Sequence, residues 1–360
     1  MGRDFTRYAG ALDHRAAWLR LGAHARDLAS DAFTTVFPGY LTLTSDPANI
    51  NIMAWVLQNR VRPGSVLSHT TAALLWDIPL PAVLENGVGL LRRPGLETRD
   101  GVAIIPAVPP GRTLGVDARL PALHCRVPPE QSGRVGKGAI VHRQRPGPTA
   151  RLGPLAVSTP AQTVRDLATM LPLWDVVAAV DALIGPDPTF PGETTATLGA
   201  GIAAAGGTAG AARARRALEL AVANVRSPGE TVMRLVLEAA GFPPAVPNLR
   251  VPDPLTGQTR YIDLAWESVG MGLEYDGDDH RTTKQQWRDD EQRRDELASC
   301  GWTLARANGE DLWRPRRILL RLRRSLGERG LRVPSEERID RTLSMLASRR
   351  PSLRISPRPW

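Results

Sequence analysis

Two short runs of alternating residues constrain this chain more than any other stretch. Tyr261 to Trp266 sets Tyr261, Asp263 and Ala265 against Ile262, Leu264 and Trp266. Met271 to Asp276 alternates too, with Glu274 and Asp276 on one face. A period of two predicts β-strands, because successive side chains point to opposite faces of a sheet. The four residues between, Glu267 to Gly270, suit a hairpin loop. Pairing Trp266 with Met271 sets Asp263 opposite Glu274. Asp263, Glu274 and Asp276 then converge on one patch.

Like charges directly opposite on a sheet are destabilising. A hard cation relieves that repulsion. Mg2+ takes a few carboxylates and keeps several waters, and Mn2+ accepts similar oxygen donors. Such an ion activates a water and steadies a leaving oxygen in phosphodiester hydrolysis. The spacing alone leaves a second reading open, a solvated strand face whose acids keep an edge soluble.

Further residues extend the pattern in order: Gly277 after Asp276, His280, Asp290 with Arg293, Leu297, and Gly301-Trp302 through Arg306. Over about residues 227–315 the set resembles the DUF559 endonuclease-like domain. More distantly it resembles the very-short-patch mismatch-repair endonucleases. Both belong to the PD-(D/E)xK, restriction-endonuclease-like class. The resemblance implies a mixed sheet flanked by helices, with Asp263, Glu274 and Asp276 as metal ligands. It implies Glu230 as an active-site acid on the helix before the first catalytic strand. His280 would position the attacking water or protonate the leaving group. The class usually carries a Lys two residues after its strand acid, and Asp276 stands there instead. Lys284, on the next helix, is the candidate replacement. Upstream, Ser68-His69-x-x-Ala72-Ala73-x-Leu75 resembles AbiEi-type antitoxin or regulator regions.

Local physics gives some of these residues plainer roles. Ser227-Pro228-Gly229-Glu230 reads as a capping box with Pro at N1 and Glu at N3. Capping explains Glu230 without chemistry, and the two roles are compatible. Met233, Val236, Leu237 and Ala240 form the buried stripe of that helix, and Gly241 ends it. A second helix is predicted over 284–299, with Arg288 and Arg294 on its polar face. Arg314 to Arg324 holds six arginines. Arg288, Arg294, Arg316, Arg317, Arg323 and Arg324 are the candidates for contact with a DNA backbone. The plainer reading is a salt-bridged or solvated helix face.

Residues 1–80 read as helical, over 16–28 and 51–60. They form either a degenerate winged helix, by resemblance, or a small structural domain. Ser68 caps a helix over 69–76, and His69 in its first turn reads as buried and hydrogen-bonded. Residues 81–185 read as an α+β regulator-like region, with strands over 87–91, 102–105, 139–142 and 155–157. Thr159-Pro160 then opens a helix. His142 reads as a solvated strand end. Residues 186–226 form a flexible joint and linking helix, 227–326 the nuclease-like domain, and 327–360 a short helix and basic tail.

Basic residues exceed acidic ones by nine, and the sequence pI is about 10.5. That balance favours a polyanionic partner. Two cysteines provide neither a disulfide framework nor a zinc quartet and suit a reducing cytosol. No run is apolar enough for a membrane span, and no signal peptide is read at the N-terminus. The expectation is a multidomain α/β cytoplasmic chain with a C-terminal restriction-endonuclease-like domain. The expected function is Mg2+-dependent DNA cleavage in defence or repair. Two other classes fit. One is a non-catalytic DNA-binding regulator or antitoxin-type protein with a degenerate nuclease fold. The other is an RNA nuclease, because metal-dependent hydrolysis does not specify the sugar.

Overall fold

The structure is a computed structural model that describes residues 4–81, 97–99, 102–104, 123–133, 135, 138–186, 193–204, 206–253, 257–276 and 284–348. For 97–99, 102–104, 284–290, 313, 347 and 348 the description covers the backbone alone. The chain is mixed α/β and divides into two units. The first joins Met1–Leu171 to Thr195–Arg216, and the second joins Pro172–Thr194 to Ala217–Trp360. The predicted strand over 87–91 lies outside the described residues.

The first unit opens with β1 (Leu12–His14), α1 (Arg15–Arg20), α2 (Ala25–Leu28), β2 (Phe33–Phe37) and β3 (Tyr40–Leu43). The strands form an antiparallel sheet in the order β1-β3-β2. This corrects the expectation of a helical start. Phe33-Thr-Thr-Val-Phe37 is β-branched and aromatic, and such side chains pack best on a pleated surface. The single helix predicted over 16–28 breaks at Gly22, whose φ is 97°. Trp18 fills this small core, and its Nε1 donates to Leu41 O at 2.9 Å.

Next come α3 (Ile50–Val56), a π-turn over Leu57–Val61, β4 (Val66–Leu67) and α4 (His69–Leu75). A β5 (Glu97–Arg99) and β6 (Val102–Ile104) ribbon follows, then β7 (Leu123–Val127), β8 (Ala139–Arg143), β9 (Thr149–Leu152) and β10 (Leu155–Ser158). The larger sheet runs β8-β7-β4-β10-β9. Because β4 lies between β7 and β10, residues before and after position 80 share one sheet. Phe37, Met53, Leu67, Leu123 and Val157 sit together in its core. Thr159 caps α5 (Pro160–Met170) by accepting from Gln162 N, with Pro160 in the first turn as expected.

The unit boundary is discontinuous for a physical reason. α6 (Leu173–Ile184) packs on α9 (Pro228–Ala240) within the second unit, through Asp181 as well as apolar contact of Trp174. Asp181 accepts from Arg234 Nη2 at 3.1 Å, Thr231 Oγ1 at 2.7 Å and Val222 N at 2.7 Å. α7 (Thr195–Ala204) packs on α5 in the first unit, and α8 (Ala211–Leu220) carries the chain from one unit into the other. The predicted boundary at Ser227 marks the cap of α9 (Pro228–Ala240) and not the edge of the unit.

After α9 the second unit runs β11 (Val246–Pro252), β12 (Thr259–Trp266), β13 (Met271–Asp276), α10 (Lys284–Ser299), β14 (Thr303–Asn308), α11 (Gly309–Trp313), α12 (Arg316–Glu328) and α13 (Glu336–Ser348). Its sheet order is β11-β12-β13-β14. The first three strands are antiparallel neighbours, and β14 joins β13 in parallel after the α10 crossover. Met233 and Leu237 of α9 share a core with Leu264, Trp266, Met271, Leu273 and residues of α12 and α13. Leu297 of α10 belongs to another cluster, with Val251, Ile262 and Ala265. The sheet therefore buries apolar surface against helices in two separate layers.

Candidate functional site

The hairpin has the expected register, with Trp266 paired to Met271 and Leu264 to Leu273. The ladder stops there, one position before Asp263 would meet Glu274. Asp263 Oδ2 instead accepts from Tyr275 N at 2.7 Å, so the carboxylate stands in for a backbone carbonyl. The facing strand is distorted at the same level. β11 pairs through Pro247–Leu264 and Leu249–Ile262 but skips Asn248. The φ of Asn248 is 45°, in the left-handed region that Asn tolerates better than most residues. At this level the expected alternation breaks: Ile262 groups with Ala265, and Leu264 with Trp266, in separate apolar clusters.

Asn248 links this level to α9. Its Nδ2 donates to Glu230 Oε2 at 2.8 Å and to Asn224 O at 2.9 Å. Glu230 is buried at 6 % exposure and also accepts from Arg226 N at 3.1 Å and Ser227 Oγ at 2.9 Å. It therefore serves the helix start while its charge acts on Asp263. Glu274 is held by Arg293, whose Nη2 lies 3.0 Å from Oε1 and also donates to Tyr261 O at 2.6 Å. Arg306 lies 4.0 Å from the other oxygen of Glu274. Asp276 closes β13 and pairs with Asn308 of β14.

Burial pushes the Asp263 carboxyl up to about 7, and repulsion from Glu230 and then Glu274 adds to it. The Tyr275 N–H and the Arg293 charge oppose that rise without cancelling it. Glu230, Asp263 and Glu274, from α9, β12 and β13, thus form one electrostatic set. Such a set binds a hard cation or holds a proton near neutrality.

His280 lies outside the described residues, as do the side chains of Lys284 and Arg288. The other arginines expected to meet DNA each hold a protein carboxylate. Arg294 pairs with Glu291 at 2.9 Å, Arg316 with Asp340 at 2.7 Å, Arg317 with Asp311 at 3.3 Å, Arg323 with Glu336 at 3.4 Å and Arg324 with Glu328 at 2.8 Å.

A second constellation lies in the first unit. His69 is buried and its Nδ1 lies 2.9 Å from Ser68 Oγ, as expected. His142 corrects its expectation, because it is not a solvated strand end. Its ring stacks on His69 with centroids 3.7 Å apart, and its Nε2 lies 2.9 Å from His124 Nδ1 in a hydrogen bond. The cause is that the start of α4 is tied to β7. Ser68 N donates to His124 O at 3.0 Å, and His124 N donates to Thr71 Oγ1 at 2.7 Å. Burial is the main cause that lowers His124 to about 3 and His142 to about 4, and it also depresses His69. All three rings are neutral at pH 7.

The rings line a cleft of about 950 Å³ together with Arg126, Gln162 and Asp166. Asp166 accepts from Arg126 and, at 2.7 Å, from Gln162 Nε2. Among the described residues, these three histidines bring their ligand atoms within 4.8 Å of one another, whereas no three acids do so. No local motif signals the cluster, since its members stand on α4, β7 and β8. Only the sheet order brings them together.

No helix among the described residues is long and apolar enough to cross a membrane. Comparison with known families, curated proteins and solved structures finds no match to this chain, so any reading of its function rests on these two constellations.

Proposed function

We propose that the second unit is a Mg2+- or Mn2+-dependent endonuclease of restriction-endonuclease-like fold that hydrolyses DNA phosphodiester bonds. The observation that carries this reading is Asp263, a half-buried carboxyl raised to about 7 between two further acids. Three acids from α9, β12 and β13 meet at one level, with Arg293 and Arg306 offsetting only Glu274, and such a gathering fits a hard divalent cation. The donors are all oxygens. Mg2+ needs only one or two carboxylates and keeps its remaining waters, so the acids need not close into a tight cage. The mixed four-stranded sheet, with helix α9 packed in one layer and α10 in another, supports the restriction-endonuclease-like reading.

In this reading Asp263 and Glu274 hold the ion, with Asp276 and Glu230 beside them. When bound, the ion lowers the pKa of a water and offsets charge on the leaving oxygen. Tyr275 N–H fixes the Asp263 carboxylate in place. Arg293 holds Glu274 through its ion pair and is itself held by Tyr261 O. His280 and Lys284 are the candidates to move a proton at the attacking water or the leaving group.

The test is an assay of plasmid, linear, mismatched and single-stranded DNA, with RNA alongside, in the presence of Mg2+, Mn2+ or a chelator. Cleavage of DNA that stops on chelation is the expected result. RNA cut in preference to DNA would change the substrate class. A folded protein that cuts none of these substrates would remove the enzymatic reading and leave the DNA-binding regulator.

A further inference from the structure

We propose that His69, His124 and His142 form a second metal site, in the first unit, for a divalent transition ion of the zinc class. Three observations carry it. The first is convergence: one ligand atom from each ring lies within 4.8 Å of the other two. The second is the pairing of two of these nitrogens: His124 Nδ1 and His142 Nε2 lie 2.9 Å apart in a hydrogen bond, and an ion would take the place of the proton they share. His69 Nδ1 faces Ser68 Oγ, and its Nε2 makes no hydrogen bond among the described residues. The third is Asp166, which is 2 % exposed in its side chain and lies 3.7 Å from His69 Nδ1 through Oδ2. That oxygen makes no hydrogen bond among the described residues. A carboxylate next to the far nitrogen of a metal-bound imidazole is the usual outer support of such ligands.

Donor chemistry selects the ion. Neutral imidazole suits zinc, copper, nickel and iron, whereas Mg2+ and Ca2+ seek oxygen. Burial already holds all three rings in the neutral form that ligates. Arg126 opposes an incoming cation, but its charge is balanced by the buried pair with Asp166. Three protein ligands leave a fourth position of a tetrahedral ion for water or an anion. The cleft that the rings line also holds Arg145 and Arg165, whose positive charge would suit an anionic ligand there.

The experiment titrates the full chain with Zn2+ by calorimetry and with Co2+ by visible absorption, in Mg2+-containing buffer. One equivalent at micromolar or tighter affinity is expected, with the absorption of low-coordinate Co2+. His142→Gln should weaken binding by about 100-fold or more, beyond the 10- to 100-fold typical of an outer partner. Asp263→Asn should bind Co2+ as the wild type does. A measurement on the unaltered protein covers the case in which His142→Gln does not fold. Bound Zn2+ should protect the half-buried His142, but not His14 or His24, from acylation by diethyl pyrocarbonate. Equal affinity in wild type and His142→Gln would overturn the proposal, as would loss of Co2+ binding in Asp263→Asn or an absence of protection at His142.

Discussion

The acid set of the second unit and the imidazole set of the first are built by similar means and carry opposite electrostatics. Each gathers side chains from a helix start and neighbouring strands, and each includes a non-glycine residue with positive φ, Asn248 at 45° and His69 at 53°. Such backbone costs roughly 1–3 kcal/mol and persists where surrounding contacts over-determine it. Burial, and then repulsion from Glu230 and Glu274, pushes Asp263 towards the protonated state. The imidazoles lose their charge on burial and can stack at 3.7 Å without repulsion. In the proposed readings a hard cation would neutralise the first set, and the second would offer nitrogen lone pairs to an ion that prefers them.

The largest effect expected from this contrast is on catalysis. Asp263→Asn should reduce Mg2+-dependent cleavage on the order of 10²–10³-fold or more, the scale seen when one preorganised electrostatic group is removed. His142→Gln should leave cleavage unchanged. Single-turnover rates of both variants under saturating Mg2+ measure the difference. Near-wild-type cleavage by Asp263→Asn would take that residue out of the chemistry.

Acid should next act on the imidazole set. A histidine with a lowered pKa binds its proton less readily in the folded state than in the unfolded state. Stability is therefore lost as pH falls below the unfolded value of 6.5 towards the folded values of about 4 for His142 and about 3 for His124. Each ring kept neutral at pH 5 costs on the order of 2 kcal/mol. His142→Asn should remove about 2 kcal/mol of the stability lost between pH 7 and pH 5, as read by denaturant melts. An unchanged loss would show that the other rings, and not His142, carry the acid sensitivity.

The acid set should show the opposite slope. Asp263 has a folded value of about 7 against 3.8 for an ordinary Asp, so its contribution is fully present below about pH 4 and is lost as pH rises through 7. Asp263→Asn retains an oxygen for the Tyr275 N–H and removes the charge. The variant should be more stable than wild type by about 1–2 kcal/mol at pH 8, after allowance for partial solvent screening. The gain should shrink towards zero at pH 4. Mg2+ should stabilise wild type and not the variant. A variant less stable at pH 8 would mean that the ionised carboxylate contributes more than its repulsion costs.

These sites differ in how much of them the sequence displays. The β12–β13 register follows from alternation and a four-residue turn, which are local properties. The Ser227 cap, Gly241 at the end of α9 and Gly301 after α10 are local too, and all are in place. The link from Glu230 to Asp263 is not local. It passes through Asn248, whose left-handed backbone carries no glycine to announce it. The imidazole cluster is less visible still, because its three members stand on elements that meet only once β8 pairs with β7 and α4 is tied to β7. α6 joined the second unit through Asp181 and an apolar face, although composition placed the break after it.

The smallest expected effect concerns the arginines of α12. Arg316, Arg317, Arg323 and Arg324 would each lower the salt slope of DNA binding by about 0.9 if each released a counterion from duplex phosphate. Instead each faces an acid of its own unit: Asp340, Asp311, Glu336 and Glu328. A charge already balanced on the protein contributes little field to a polyanion. Exposed ion pairs contribute little to stability, so these arginines are held by the protein without being needed for its fold. Changing all four to Gln should therefore shift the log-affinity against log-salt slope by less than about one unit, where four phosphate contacts would shift it by about 3.6. A shift near that larger value would show that phosphate displaces the protein acids on binding, and would place the DNA path along α12. A slope that hardly moves would leave the path to surfaces nearer the acid set, where Arg293 and Arg306 already gather around Glu274.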